Sequence, residues 1–422
     1  MQLWTIAGSV LGTLIVVIIV LNFRTPEKEP HHRVARHYGT GDPQFRREMG
    51  VLLGPAIVPD NRIEALQNGD EIFPAMLTAI RDARRTITFE TYIYWSGEIG
   101  DAFAQALIER AGAGVCVHVM LDWVGCDKMS SELLARMKHG GVEVERYHSV
   151  AWYTLGRLNN RTHRKVLIVD GAVGFTGGVG IADQWTGHAQ DPAHWRDMHF
   201  RVEGPVVAQM QAAFLDNWIK LTGHVLHGSS YFPDIEPRGH QRMQMFISSP
   251  DGGSDSMRLM YLTAITAAER RIDIEAAYFV PDKLMIRELI SARGRGVRIR
   301  VLVPGADIDS KVVGIASKHE WGPLLERGVE IFIYRPTMLH CKMLIFDDCM
   351  TSVGSTNFDM RSFELNDEAS LNVYDPAFAQ QMSAVFENDL QTSTPYTLAH
   401  WQRRSWQERL EEMVLNPIRS QL

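Results

Sequence analysis

Two short patterns in this sequence carry residue types able to break a phosphodiester bond. The first is His163-Arg-Lys165-Val-Leu-Ile-Val-Asp170, and the second is His340-Cys-Lys342-Met-Leu-Ile-Phe-Asp347. A neutral imidazole can attack phosphorus as a nucleophile. A second, protonated imidazole can give its proton to the departing alkoxide. The ammonium groups of Lys165 and Lys342 can neutralise the charge that builds on the non-bridging oxygens. Carboxylates must then orient the two rings, because an acid beside a histidine stabilises imidazolium and fixes which nitrogen carries the proton. Asp197, in Trp195-Arg-Asp-Met-His199, and Glu368, in Leu365-Asn-Asp-Glu368, are the candidates. This set needs no metal and no other cofactor.

Such groups must be brought together by the elements that carry them. The apolar residues between Lys and Asp mark each pattern as a buried strand. On a strand, residues i and i+2 share a face, so each His and its Lys point the same way. Asp170 and Asp347 have the opposite parity, which favours bracing a turn over touching substrate. Behind each strand comes a glycine-containing turn, Gly177-Gly-Val-Gly180 and Gly354-Ser-Thr-Asn357, where backbone N–H groups and small side chains can hold phosphate oxygens.

The surrounding chain repeats in the same order. Leu77–Arg85 followed by Thr86–Tyr92 matches Leu262–Arg270 followed by Arg271–Tyr278, each an amphipathic helix and then a β-rich strand bearing Glu90 or Glu275. Ala106–Gly114 with Val115–Leu121 matches Glu288–Gly296 with Val297–Val303, a glycine-stopped helix and a short apolar strand. Gly140–Val144 and Gly328–Phe332 then precede the two His-x-Lys strands. One His-x-Lys is easily an accident; two at equivalent places in a repeat are better explained by duplication. The class expected is α/β, built from βαβ units.

The motifs resemble the paired HxK(x)4D(x)6GSxN signatures of the phospholipase D superfamily, and within it the bacterial cardiolipin synthases. The stretch Gly354–Glu368 is close to the second signature; Phe89–Tyr94, Arg161–Lys165, Phe175–Gly178 and Trp195–Asp197 support it. The likeness runs over roughly residues 57–395. It implies a duplicated phospholipase D fold of two pseudo-symmetric α/β/α halves with mixed sheets, and a ping-pong transfer between two phosphatidylglycerol molecules that yields cardiolipin and glycerol. In that scheme His163 attacks, His340 is the acid and then the base, Asp197 orients His163, Glu368 orients His340, and Lys165, Lys342, Asp170 and Asp347 complete the catalytic set. Gly178, Ser355 and Asn357 become phosphate-binding positions. One departure stands out: Gly180 occupies the place where the family usually has Asn.

With 422 residues, the chain is expected to divide into an anchor (1–23), a tether (24–56), two halves (57–235 and 236–395) and a tail (396–422). Leu3–Phe23 carries no charge and is long enough for one hydrocarbon core, whereas a cleaved leader would want a basic start and a small-x-small site. Arg24, Lys28, Arg33 and Arg36 follow this segment and no Lys or Arg precedes it, which predicts a single-pass inner-membrane protein with its body in the cytoplasm. The four cysteines form no CxxC pair and read as reduced thiols. The tail places aromatic and aliphatic residues near helical spacing; packing on the body and lying on a bilayer are both open. For the aromatic stretch Val150–Arg157, acyl-chain contact and core packing are both open too. The partners expected are phospholipids and a membrane, phosphatidylglycerol first. A net charge of −7 and the lack of a basic aromatic groove argue against nucleic acid. Hydrolysis with water as acceptor is the alternative activity. A non-catalytic scaffold is disfavoured because both His-x-Lys pairs are intact.

Overall fold

The computed structural model describes residues 2–22, 34–51, 54–147, 160–249 and 256–415. The stretch 150–157 therefore lies outside the described residues, as do residues 24–33 of the expected tether. Helix α1 (Gln2–Asn22) and helix α2 (Pro43–Val51) precede the body. Side chains of α1 are described at Trp4 and residues 8–17, all exposed. Among the described residues no helix is long and apolar enough to cross a membrane. The described part of the tether is packed rather than loose, because Phe45 and Met49 of α2 are fully buried in the second half's core.

The first half runs β1 (Val58–Gln67), α3 (Asn68–Asp82), β2 (Thr86–Thr91), α4 (Glu98–Gly112), β3 (Cys116–Asp122), α5 (Ser131–His139), β4 (Glu143–Tyr147), β5 (Arg161–Thr162), β6 (Val166–Val169), β7 (Val173–Gly177), β8 (Met198–Glu203) and α6 (Val206–Thr222). The second half runs β9 (Gln241–Ser248), α7 (Ser256–Ala267), β10 (Arg271–Ala276), β11 (Phe279–Val280), α8 (Lys283–Gly294), β12 (Arg298–Pro304), α9 (Lys311–Glu326), β13 (Glu330–Tyr334), β14 (Lys342–Phe346), β15 (Met350–Gly354), β16 (Phe358–Asp359), α10 (Met360–Glu364), β17 (Asn366–Tyr374) and α11 (Pro376–Gln391). A closing strand β18 (Ser393–Tyr396) and helices α12 (Leu398–Gln402) and α13 (Trp406–Leu415) follow.

Every helix–strand repeat expected from the sequence is present, but the halves do not keep separate sheets. They join edge to edge through the antiparallel pair β1–β9, giving one sheet in the order β18-β13-β12-β10-β14-β15-β17-β9-β1-β8-β7-β6-β2-β3-β4, with β5 paired to β17. Read outward from β1–β9 the two sides correspond strand for strand as far as β4 and β13, with β18 an addition to the second half, so a pseudo-two-fold passes through that seam. In each half three parallel strands (β2, β3, β4; β10, β12, β13) adjoin antiparallel ones. Helices cover both faces, which is why strands such as β2 and β14 are buried at every position instead of alternating. Helices α6 and α11 share one apolar core that crosses the seam, with Phe200 edge-on to Phe378. Helices α3 and α4 serve the first half's other core, and α7 and α8 the second's.

Asp170 and Asp347 close the two motif strands in left-handed backbone (φ 54° and 52°), which a short polar side chain tolerates. Each carboxylate caps the entry to a neighbouring strand. Asp170 accepts from the Arg84, Arg85 and Thr86 N–H groups at 2.7–3.2 Å, and Asp347 from Glu269, Arg270 and Arg271 at 2.6–2.9 Å, with the Thr40 hydroxyl added. Neither lines the site described below, so both leave the catalytic set and become structural clamps. Removing a charged acceptor that holds several backbone N–H groups costs about 2–3 kcal/mol. Asp170→Ala should therefore lower the urea unfolding midpoint; an unchanged midpoint would show that the clamp bears no stability.

The tail packs on α9 as one of its two readings required. Trp401 donates to the Lys318 carbonyl at 2.8 Å, and buried Glu412 pairs with Arg404. The opposite face of α13, with Trp406, Leu410, Met413 and Val414, is exposed.

Candidate active site

The site forms where each half reaches across the seam. Strand β5 runs parallel to the start of β17, and the His163 N–H donates to the Asp367 carbonyl at 2.9 Å. That register sets His163 beside Glu368. The mirror contact joins Arg196 and Leu339, with the His340 N–H on the Arg196 carbonyl at 2.7 Å, and sets His340 beside Asp197. His163 Nδ1 lies 2.9 and 3.1 Å from the two Glu368 oxygens, and His340 Nδ1 lies 2.8 Å from Asp197 Oδ2. The expected partners are therefore exchanged. Glu368 orients His163 and Asp197 orients His340, each carboxylate coming from the other half.

Both imidazoles line one cavity of about 450 Å³, together with Lys165 and Asn357. With Nδ1 taken by a carboxylate, His163 has Nε2 left for the cavity, whereas His340 Nε2 also lies beside the Lys342 ammonium. Lys165 Nζ donates to the His163 carbonyl at 2.9 Å. Lys342 Nζ donates to the His340 carbonyl at 2.5 Å and lies 2.9 and 3.0 Å from that ring's nitrogens. Tyr92 is edge-on to His163 at 5.1 Å, and Trp185 and Trp195 flank His340 at 5.3 and 5.7 Å.

Burial dominates the electrostatics. It pushes His163 down to about 4 against the pull of Glu368, with Lys165 adding to the fall. Burial and then Lys342 lower His340, against Asp197. Lys165 falls to about 7 through burial and then repulsion by Lys342. Burial would raise both carboxylates, yet His340 and Lys342 hold Asp197 below its ordinary value, and His163 and Lys165 do the same for Glu368. The site thus has two oriented imidazoles, each beside an acid that favours its protonated form against the effect of burial, and two ammonium groups close enough to repel.

Three further residues, Ser355, Trp185 and Gly178, take places the sequence did not predict for them. Ser355 is fully buried; its hydroxyl donates to Glu368 Oε2 at 2.5 Å and accepts from the Ala369 N–H at 3.0 Å. It positions the acid instead of binding phosphate. Trp185 has the matching task on the other side, its indole N–H donating to Asp197 Oδ2 at 2.9 Å. Gly178 is needed for clearance, since a β-carbon there would meet Asp197 Oδ1 at 2.2 Å. Asn357 does line the cavity, and its buried Oδ1 has no hydrogen-bond partner among the described residues. Among the described residues no group of three or more His, Cys, Asp or Glu is placed to hold a metal ion.

The cardiolipin synthase, PLD-like domain family matches residues 76–218 and 261–390, one block in each half. Cardiolipin synthase 1 of Bacillus anthracis is 34% identical over 363 residues, spanning 84% of this chain and 71% of its own. The major cardiolipin synthase of Bacillus subtilis (strain 168) is 32% identical over 365 residues, spanning 85% and 76%. The chain belongs to the cardiolipin synthase family of PLD-like proteins. Among solved structures, phosphatidylserine synthase from Haemophilus influenzae Rd KW20 shares the fold, with a TM-score of 0.67 at 11% identity, covering 88% of this chain and 96% of that one.

Within this family member, Gly180 has a steric explanation. A β-carbon there would come within 2.8 Å of Ile93 and 3.2 Å of the Trp185 ring, so the indole that steadies Asp197 occupies the room a larger residue would need. The exchange of acids is backed by two buried arginines that also cross the seam. Arg164 donates to the Ala213, Ser248 and Glu368 carbonyls at 2.7–3.3 Å and to Asp216 at 3.0 Å. Arg196 donates to Asp389 at 2.9–3.2 Å, to Gln67 at 3.1 Å and to Asn68 at 3.2 Å. Sequence reasoning missed Tyr92 and Arg361 as lining residues, because only the fold brings them in. It passed over Arg161 as well, although its place two residues before His163 on a strand was a usable signal.

Proposed function

We propose that this protein is a cardiolipin-forming phosphatidyltransferase that uses phosphatidylglycerol as donor and acceptor. The observation that carries the reading is the convergence of two imidazoles, each held by a buried acid of the other half, on one cavity in a member of the cardiolipin synthase family. His163 Nε2 attacks the donor phosphorus, and the P–O bond to the headgroup glycerol breaks. That oxygen takes a proton from His340, and the phosphatidyl group stays on His163. A headgroup hydroxyl of the second lipid then gives its proton to His340 and attacks the same phosphorus. The P–N bond breaks, and cardiolipin leaves with His163 neutral again. The choice of His163 as nucleophile rests on family resemblance. Lys165 and Asn357, which line the cavity, face the charge that grows on the non-bridging oxygens, and Lys342 adds its positive field from beside His340.

Purified full-length protein should convert phosphatidylglycerol vesicles to cardiolipin and glycerol in equal amounts with EDTA present. Phosphatidic acid as the sole product would shift the assignment to hydrolysis. The pH dependence follows from the two resolved values. His163 must be neutral to attack, so kcat/KM should rise with pH through about 4; His340 must carry the proton it gives up, from a range held below the ordinary imidazole value, and Lys165 must keep its own, so the rate should fall again by about 7. A rate that holds level from neutral to alkaline pH would remove the Lys165 charge from the rate-determining interaction.

The same proposal places the enzyme at the inner membrane with its body in the cytoplasm. Its support is the uncharged run Leu3–Phe23 and the basic residues Arg24, Lys28, Arg33 and Arg36 that follow it in the sequence. Deleting residues 1–23 should move the protein to the soluble fraction while detergent-dispersed lipid is still turned over; continued membrane retention would refute this segment as the main tether.

A further inference from the structure

The catalytic cavity lies on a pseudo-two-fold, so each side of it has a counterpart on the other. Tyr92 follows β2 and Tyr278 follows β10, and both line the cavity. Helices α5 and α9 hold equivalent places, each linking two parallel strands of its half. Each is capped by a serine: the Ser130 hydroxyl accepts the Leu133 N–H at 3.1 Å, and the Ser310 hydroxyl accepts the Val313 N–H at 3.5 Å. The residue just before the cap breaks the match. On the first side it is Met129, buried in the core of its half. On the second it is Asp309, which is exposed and lines the cavity, and so stands at its mouth. Asp309 is held there, since the Tyr278 hydroxyl lies 2.8 Å from each of its oxygens and donates to them, and the Ser310 N–H donates to Oδ1 at 2.8 Å. A carboxylate offers about four lone-pair sites, so these two donors leave it able to accept another. Its charge is felt at the second motif. Burial and then Lys342 lower His340 against Asp197 and Asp309, and burial lowers Lys342 against the same two acids. Asp309 thus belongs to the side of the cavity where the headgroup oxygen departs and the acceptor hydroxyl arrives.

We infer that Asp309, steadied by Tyr278, is the specificity-determining residue for a glycerol headgroup, accepting a hydrogen bond from the hydroxyl on its middle carbon. This rests on the transfer reading, and it adds what marks out one alcohol from another. In the first step the departing oxygen is on an end carbon of glycerol, and the next carbon bears a hydroxyl. In the second step the attacking oxygen is on the free end carbon of the acceptor's glycerol, and its neighbour is again the middle hydroxyl. One acceptor on the side of His340 therefore serves both steps. The other side holds the same phosphatidyl group throughout and has no alcohol to recognise, which accounts for an apolar residue at the matching position. An ammonium headgroup is the other ligand that suits a carboxylate, but it would have to enter beside the charges of Lys165 and Lys342, whereas a hydroxyl brings none.

The test uses the full chain with phosphatidyl-p-nitrophenol as donor, so that the phosphatidyl-enzyme forms without a glycerol having to leave. Two isomeric acceptors are compared in separate incubations. Propylene glycol carries a hydroxyl beside its reacting end, as glycerol does; trimethylene glycol carries its second hydroxyl at the far end. Wild type should transfer to propylene glycol about tenfold faster, the effect of one hydrogen bond to a charged group in an exposed place. Asp309→Leu should bring the ratio close to one. Asp309→Asn should fall between, since its amide oxygen still accepts but carries no charge. Release of p-nitrophenolate reports that a variant is folded. No preference in wild type, or a preference that Asp309→Leu leaves unchanged, overturns the assignment. Should Asp309→Leu not fold, the wild-type ratio and its fall in Asp309→Asn decide by the same criteria. A wild-type preference for phosphatidylethanolamine over phosphatidylglycerol as donor, lost in the variants, would make this an ammonium site and overturn the glycerol reading. If wild type yields only phosphatidic acid with either diol, the transfer reading falls by itself. The headgroup site is then read from hydrolysis: the kcat/KM ratio of phosphatidylglycerol to phosphatidylpropanol should fall about tenfold in Asp309→Leu, and an unchanged ratio would remove the site.

Discussion

His163→Asn and His340→Asn should each lower cardiolipin formation by about 10⁴-fold or more while leaving the protein folded, and the double variant should be scarcely worse than either. Asn retains a polar group facing the carboxylate that each ring now engages, so the buried acid is not left bare. It can neither attack phosphorus nor carry a proton. The two histidines act on successive bonds at one phosphorus, so losing either stops the cycle and the losses do not add. Lipid product analysis gives the rate, and labelled donor lipid gives the adduct, which should map to His163. Label recovered on His340 would invert the roles while keeping the site. A variant within tenfold of wild type would break the two-histidine scheme.

The second large effect tests the exchange of acids. Asp197→Asn and Glu368→Gln should each cost about 10²–10⁴-fold in transfer, because an amide cannot stabilise imidazolium or fix the tautomer as a carboxylate does. An activated phosphodiester separates them. Its p-nitrophenolate leaves without a proton, so the first step no longer needs His340. Asp197→Asn should then keep a burst of p-nitrophenolate, whereas Glu368→Gln, which disturbs the nucleophile, should lose it. The reverse pattern would return each acid to the histidine of its own half.

Much of this architecture was readable from local order in the chain. The two His-x-Lys strands, the helices before β2 and β10, and the glycine-stopped helices before β3 and β12 are set by apolar spacing within a few residues, and their repetition made duplication the natural reading. What was not readable depends on register between distant segments. Glu368 lies 205 residues from His163 and Asp197 lies 143 from His340, and no local pattern says that β5 pairs with β17 rather than with its own half. The seam β1–β9 was hidden for the same reason. Ser355 was misread because a hydroxyl in a glycine turn suits phosphate as well as it suits a carboxylate, and only its burial against Glu368 separates the two. Asp170 and Asp347 were rightly suspected of bracing, since strand parity is local information.

The exchanged acids also bear on how such a chain can diversify. Either half alone would hold a histidine without its acid and an acid without its histidine, so a solitary ancestor could work only as a pair of identical copies, each completing its twin. In such a pair every substitution appears twice. Joining the copies end to end lifts that restriction: here one ring answers to Glu368 steadied by a hydroxyl, and the other to Asp197 steadied by an indole. Fusion let the nucleophile and the proton carrier be tuned separately.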